Sequence, residues 1–405
     1  THWFFDILAI LRLNCGSWPP GTSRRKEGAL FMEKTPTRTA SSLGMFDLLK
    51  GVGMLTIVFA HTAESYSMGT TTAITPFTFY LFAYRESLMA AFYIASGYGF
   101  RKRSIGKCVS QQLQMLLKPY LITGLATTVL HFLCHYAAFG SLESAFYETR
   151  KVFGGFALGL PHTAEYFGQT FFSCGPMWYL LALMIGWILL DIILNIFPEP
   201  YIPWVVLGTM TLGWGITLAW NAPFCIAQGM VVVPYLYLGF LAKKHKLFEK
   251  PFSRRLKRSL WAAFVLVGVI VVLTQRTDCV SLGEWTVGPF SILLDSAVGL
   301  GLLAAFLKVQ RKFDNVFTRA VQSIGRRSLY IFCVHTVELT AIPWYLMADK
   351  FVDMQTAGLV IQFAVSLGSV LLVCELLSRR RDWKIQRAAQ QRRRAEARKP
   401  YVARH

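Results

Sequence analysis

Apolar runs separated by short polar or basic segments recur along the chain. Ten are long enough to cross a bilayer, at about residues 46–66, 77–100, 115–138, 174–196, 201–220, 224–242, 259–275, 286–308, 327–348 and 355–378. A membrane-crossing helix needs roughly 17–25 residues, because a rise of about 1.5 Å per residue must cover about 30 Å of hydrocarbon. The pattern predicts an all-α integral membrane protein with about ten transmembrane helices. The longest connection left by this division is 139–173, and its stretch FGGFALGLPHTAEYFGQTFF reads as a partly re-entrant lid.

Polar positions outside the runs set the orientation. If the helices alternate, 36 of the 42 lysines and arginines share one side, Arg150, Lys151, Arg276 and Lys350 lie on the other, and Lys50 and Arg85 sit within runs. Cytoplasmic loops carry such an excess. Both termini are therefore expected in the cytoplasm, and the protein in the plasma or cytoplasmic membrane of the cell, crossing it many times. Residues 1–44 read as a disordered or non-native lead, with Met32 and Met45 as candidate starts, and 379–405 as a basic cytoplasmic tail. Composition agrees, with 54% hydrophobic residues among 405. The formal net charge of +20 then becomes a topology signal and an attraction to anionic lipid headgroups, and nucleic acid is not expected as a partner. The eight cysteines show no CxxC or Cys/His spacing. They read as free thiols, a Cys174–Cys279 bridge being the alternative, and no metal site is expected.

One run carries more chemistry than insertion requires. FDLLKGVGMLTIVFAHTAES, residues 46–65, opens with Asp47 and Lys50 and holds His61 eleven residues after the lysine. That step is about 16 Å along a helix, which puts the imidazole near mid-bilayer. Ionisable groups there are costly and face a bundle interior or a water-filled cavity; a helix–helix hydrogen bond is the plainer alternative. His335 lies at a comparable depth in the ninth run. Each histidine has a glutamate three residues later, Glu64 and Glu338, on the same helical face. A carboxylate so placed orients an imidazole and raises its basicity, although Glu64 also suits a simple interfacial residue. His131 and His135 lack a third ligand and read as interfacial. In SGYGFRKR, Ser96 and Gly97 allow helices to approach closely. Arg101, Lys102 and Arg103 then emerge at the cytoplasmic face, as anchors or, with Lys50, as a phosphate-binding cluster.

Four of these features together resemble the acyltransferase 3 family of integral-membrane acyltransferases, over about residues 45–378. That family's first helix carries an acid, then Arg or Lys, ten residues and His, which Asp47, Lys50 and His61 match. Its FF-x-SG-[FY] element looks like FYIASGY (Phe92–Tyr98). Its Pro-x-Trp-[FY]-Leu helix start is similar to PMWYL, which contains Trp178, and its Gly-x-x-Ser-Leu element ending in His resembles GRRSLYIFCVH (Gly325–His335). Lysine at position 50 departs from the commoner arginine and loses the bidentate fork. No hydrolase-like or racemase domain follows within the 405 residues, so the fused subtypes are not expected.

The resemblance implies acyl transfer, most often O-acetylation, from acetyl-CoA to a cell-envelope glycan or a small sugar- or lipid-like acceptor. Acyl-CoA would be a donor substrate, with no cofactor permanently bound. The nucleotide end of CoA would sit on Lys50 and Arg101 to Arg103. His61 would serve as general base or as transient acyl carrier, the direct base being the simpler, with Glu64 behind it and His335 positioning the acceptor or stabilising an oxyanion. Two other classes stay open. A solute transporter or flippase would also suit buried Arg85, Glu86 and paired histidines, though no repeat between halves is visible. A scaffold or sensor would act through its basic tail.

Overall fold

The computed structural model describes residues 44–66 and 83–397. Most of the expected lead, the first part of the second run (77–82) and the last residues of the tail lie outside the described residues. In chain order the helices are α1 (Met45–Glu64), α2 (Arg85–Tyr98), α3 (Ile105–Phe139), α4 (Leu142–Leu158), α5 (Trp178–Ile196), α6 (Ile202–Ala219), α7 (Ile226–Val231), α8 (Val233–Lys244), α9 (Arg254–Thr274), α10 (Pro289–Lys312), α11 (Val316–Arg326), α12 (Ser328–Ala341) and α13 (Gln355–Ala397). One antiparallel hairpin, β1 (Ala164–Tyr166) with β2 (Gln169–Phe171), interrupts them, Glu165 pairing with Thr170.

Each of the ten predicted runs contains a helix. Seven of the described helices are long and apolar enough to cross a membrane, and α7 with α8, bent by 47°, would be an eighth as one span. The protein is an all-α membrane protein. The run 224–242 breaks because Pro234, in the first turn of α8, has no N–H to give to a continuous helix. Its other end starts abruptly, with Phe224 and Cys225 both at positive φ (59° and 54°). The connection 139–173, read in the sequence as a partly re-entrant lid, consists of α4 followed by the hairpin. Ser141 caps α4 by accepting from the Ser144 N–H at 3.2 Å. At 14 residues, α12 is only about 21 Å long.

Two hydrophobic cores meet along α1 and α5. One, around Tyr93, Leu190, Leu236 and Ile292, joins α2 to α5, α6, α8 and α10. The other, around Met54, Tyr120, Phe156, Met177, Ile331 and Val370, joins α1 to α3, α4, α12 and α13. Ile57, Leu116, Trp178 and Tyr179 pack against both. Glycines set the closest approaches. A Cβ on Gly325 of α11 would lie 1.7 Å from the Asp47 carbonyl oxygen of α1, and one on Gly97 of α2 would lie 2.1 Å from the Leu236 carbonyl oxygen of α8.

Candidate active site

α1 places its polar residues in sequence along the seam. At one end, the basic end, the Phe46 ring meets Tyr98 at a tilt with centroids 5.1 Å apart, and Tyr98 meets Phe248 likewise at 5.6 Å. Seven residues on from Phe46, Gly53 faces Phe92, whose ring would lie 2.0 Å from an added Cβ. α1 and α2 are therefore antiparallel, and the start of α1 lies beside the residues leading to Arg101. Lys50 sits 3.7 Å from Asp47 and keeps 41% of its side chain exposed. Arg101 and Lys102 are exposed. The backbone of Arg103 is fixed by Asp191, whose Oδ1 accepts from its N–H at 3.1 Å, and by Asn195, which donates to its carbonyl at 2.8 Å. Lys243, at the end of α8, joins this group: its Nζ donates to the Phe100 carbonyl at 3.5 Å and lies in the field of Arg101.

Toward the opposite end, which carries the hairpin, His61 and His335 come together, their ring centroids 5.8 Å apart and their planes 37° from parallel. Each Nδ1 is 3.1 Å from its own glutamate, His61 from Glu64 Oε2 and His335 from Glu338 Oε2. The two pairs differ in access. His335 and Glu338 keep only 1% and 9% of their side chains exposed, whereas Glu64 keeps 55%. In the sealed pair, Ser366 of α13 donates a second bond to Glu338, Oγ to Oε2 at 2.9 Å. Among the described residues, His335 Nε2 and Glu338 Oε1 have no hydrogen-bond partner. An imidazole whose Nδ1–H is held by a carboxylate presents Nε2 as the acceptor, so this arrangement readies a ring nitrogen to take a proton.

The remaining candidates have packing contacts. Ser96 Oγ donates to the Phe92 carbonyl at 2.9 Å and meets the Tyr179 hydroxyl, Gly97 packs on α8, and Trp178 lies on the seam. Just before Trp178, Gly175 lies against Thr340 and Thr336, next to His335; an added Cβ would be 3.3 Å from Thr340 Oγ1. The start of α5 thus packs on α12. A cavity of ≈250 Å³ opens beside it, lined by Ser65, His131, His135, Thr340, Trp344 and Tyr345 among others. His135 Nδ1 and Trp344 Nε1 are buried without partners among the described residues. His131 bonds Thr149 Oγ1 at 2.8 Å. Cys174 neighbours Cys225 rather than Cys279, which instead contacts Ser281 Oγ at 3.2 Å, and all three thiols are free.

A family model for an acyltransferase domain, acyltransferase 3, matches residues 44–379. The chain belongs to that family. Comparison with curated proteins and with solved structures returned no match. Membership of the acyltransferase 3 family makes the protein a membrane acyltransferase, with an acyl donor and an acceptor as substrates. The four motifs read in the sequence fall within the matched residues; those of α1 and α12 supply the histidine pair, and that of α5 packs on α12 through Tyr179 and Phe332. For such an acyltransferase the geometry adds what motif spacing does not carry: Ser366 behind Glu338, Lys243 beside Arg101, and the cavity next to Ser65.

Proposed function

We propose that the protein moves an acyl group, acetyl in the first instance, from cytoplasmic acyl-CoA to a hydroxyl of a cell-envelope glycan or a related sugar- or lipid-like acceptor. The observation that carries this reading is the pair of His–Glu dyads 5.8 Å apart on a helix whose start lies at the basic end. The catalytic unit is residues 45–378, with both termini in the cytoplasm of a cell-membrane protein. Lys50, Arg101, Lys102 and Arg103, with Lys243, bind the phosphates of CoA, which suit guanidinium and ammonium groups. The pantetheine arm then lies along α1 toward His61.

Acceptor hydroxyls enter through the cavity at Ser65. Trp344 and Tyr345 offer ring faces to a sugar, and the unpartnered His135 Nδ1 and Trp344 Nε1 offer polar contacts. His61 Nε2 takes the hydroxyl proton as the oxygen attacks the thioester carbonyl. The C–S bond breaks as the new ester forms, and the imidazolium returns its proton to the departing CoA thiolate. Glu64 holds the His61 ring in the productive tautomer. His335, held by Glu338 with its ring 5.8 Å from that of His61, positions the acceptor or stabilises the oxyanion.

The decisive experiment measures thiol release from acetyl-CoA by the purified protein, with and without a pool of envelope glycans. Wild type should release CoA thiol in a glycan-dependent way, and His61→Ala should insert normally yet release none. Near-normal release by the alanine variant would remove His61 from its role, and a wild type that neither binds nor cleaves acetyl-CoA would overturn the donor.

A further inference from the structure

A second polar centre lies where α2, α8 and α10 meet the turn Asp278–Thr286. Glu86 and Asp295 are buried there, 7% and 2% exposed. Ser87 Oγ donates to Asp295 Oδ1 at 2.6 Å, and the Val280 N–H donates to Glu86. Asp278 Oδ1 accepts from the Thr286 N–H at 2.5 Å and from Ser291 Oγ at 3.0 Å. Arg85 is the cation of the group: its Nε lies 3.9 Å from Glu86 Oε1 and donates to the Asp278 carbonyl at 3.3 Å. Arg85 also lies in the field of Glu64 of α1, and the remaining groups around the acids are neutral. Tyr235 of α8 lies within reach of Asp295, Glu86 and Asp278, and Tyr93 of α2 within reach of Glu86, Tyr235, Tyr179 and Cys225. The Tyr93 and Tyr235 rings stack at 6.0 Å. Cys279 neighbours Glu86, and Gln228 of α7 joins the same turn through the Ser281 carbonyl at 3.5 Å.

Two features point to a ligand. Three carboxylates face one guanidinium that Glu64 also shares, so full ionisation leaves at least two negative charges uncompensated among apolar helices, where an unpaired charge is strongly disfavoured. Five oxygens are also buried without a partner among the described residues: Glu86 Oε2, Asp295 Oδ2, the Tyr93 and Tyr235 hydroxyls and Gln228 Oε1. Tyr93 and Tyr235 are 0% and 1% exposed and Gln228 is 3% exposed. All five accept hydrogen bonds or coordinate a hard cation. Divalent metals are disfavoured, since no group of three or more His, Cys, Asp or Glu among the described residues is arranged to hold a metal ion.

We propose that Glu86 and Asp295, completed by Tyr93, Tyr235 and Gln228, form an intramembrane site for a small monovalent cation, a proton or sodium. Tyr179 and Phe332 lie between the site and the histidine pair, and the two centres are linked through Arg85, which also lies in the field of Glu64.

Infrared spectra of the purified wild type in sodium-free buffer at neutral pH test this against Glu86→Gln, Asp295→Asn and the double variant. The wild type should show a protonated-carboxyl C=O band that the double variant lacks. If sodium chloride abolishes the band and choline chloride does not, the ligand is sodium; if only raised pH abolishes it, the ligand is the proton. A band that neither treatment removes, or no such band, overturns the proposal. Should the variants fail to accumulate, thermal melts of the wild type alone decide. A midpoint raised by sodium over choline, or falling steeply as pH rises, supports the site, and a midpoint indifferent to both removes it.

Discussion

Ser366 gives the His335–Glu338 dyad a support that no contact supplies to His61–Glu64 among the described residues. Glu338 is buried, and its Oε2 takes bonds from both His335 Nδ1 and Ser366 Oγ, so the carboxylate cannot swing away without losing two partners. Hydrogen bonds to charged groups are worth about 1.5–3 kcal/mol. Ser366→Ala should therefore lower kcat by roughly tenfold or more, with KM for acyl-CoA little changed and Ser366→Thr restoring part of the loss; steady-state kinetics against both substrates would check this. The four members of the dyads were legible in the sequence because a three-residue spacing puts two side chains on one helical face. Ser366 was not, because it reaches Glu338 from a helix 28 positions further along the chain. Lys243 is hidden in the sequence for the same reason: there it is one lysine of a basic loop, and only the packing of α8 on α2 brings it beside Arg101.

Between elements, the positions that decide the site are those where backbone meets backbone. Gly325 lets α11 rest on the start of α1, and Gly97 lets α2 rest on α8, each at a distance that leaves no room for a methyl group. Overpacking a close contact commonly costs about 1–3 kcal/mol. Gly325→Ala and Gly97→Ala should accordingly lower the thermal midpoint in detergent, while Gly215→Ala, with nothing within 4 Å of its added Cβ, should not. Apolar length located every predicted run, since hydrocarbon thickness imposes it. It did not show the break before Pro234, where a single residue without an N–H outweighs a continuous apolar stretch. It also passed over α4 and α11, whose cap signals were present: Ser141 accepts from the Ser144 N–H and Asn315 from the Thr318 N–H at 2.9 Å. Both helices are amphipathic and expose large apolar residues, such as Phe146 at 69% and Phe317 at 76%, which a search for membrane-crossing length does not score.

For the molecule as a whole, two cores joined along α1 and α5 place the histidines at a seam between them. α13 helps fix that seam through Phe59 and Phe363, whose rings meet at 5.5 Å, and through Ser366. At its other end Glu375 bonds Arg327 at 2.5 Å and Arg379 at 2.8 Å. Beyond that clamp α13 continues to Ala397 with a run of basic residues. Removing residues 381–405 should leave CoA release per folded molecule within about twofold of the full chain, while weakening salt-sensitive binding to anionic vesicles; loss of turnover would instead assign catalysis to the tail. The shortness of α12 has a consequence for the thickness of the membrane around the bundle. A helix of about 21 Å carrying His335 at its centre covers only part of about 30 Å of hydrocarbon, and none of its residues is exposed, because α1, α3 and α13 wall it in. The thickness that α12 leaves uncovered falls at its two ends, inside the bundle, where water rather than lipid fills the gap. Reconstitution into bilayers of increasing acyl-chain length should then slow turnover as the mismatch grows, with little change in the folded fraction, and the thinnest bilayer should support the fastest enzyme.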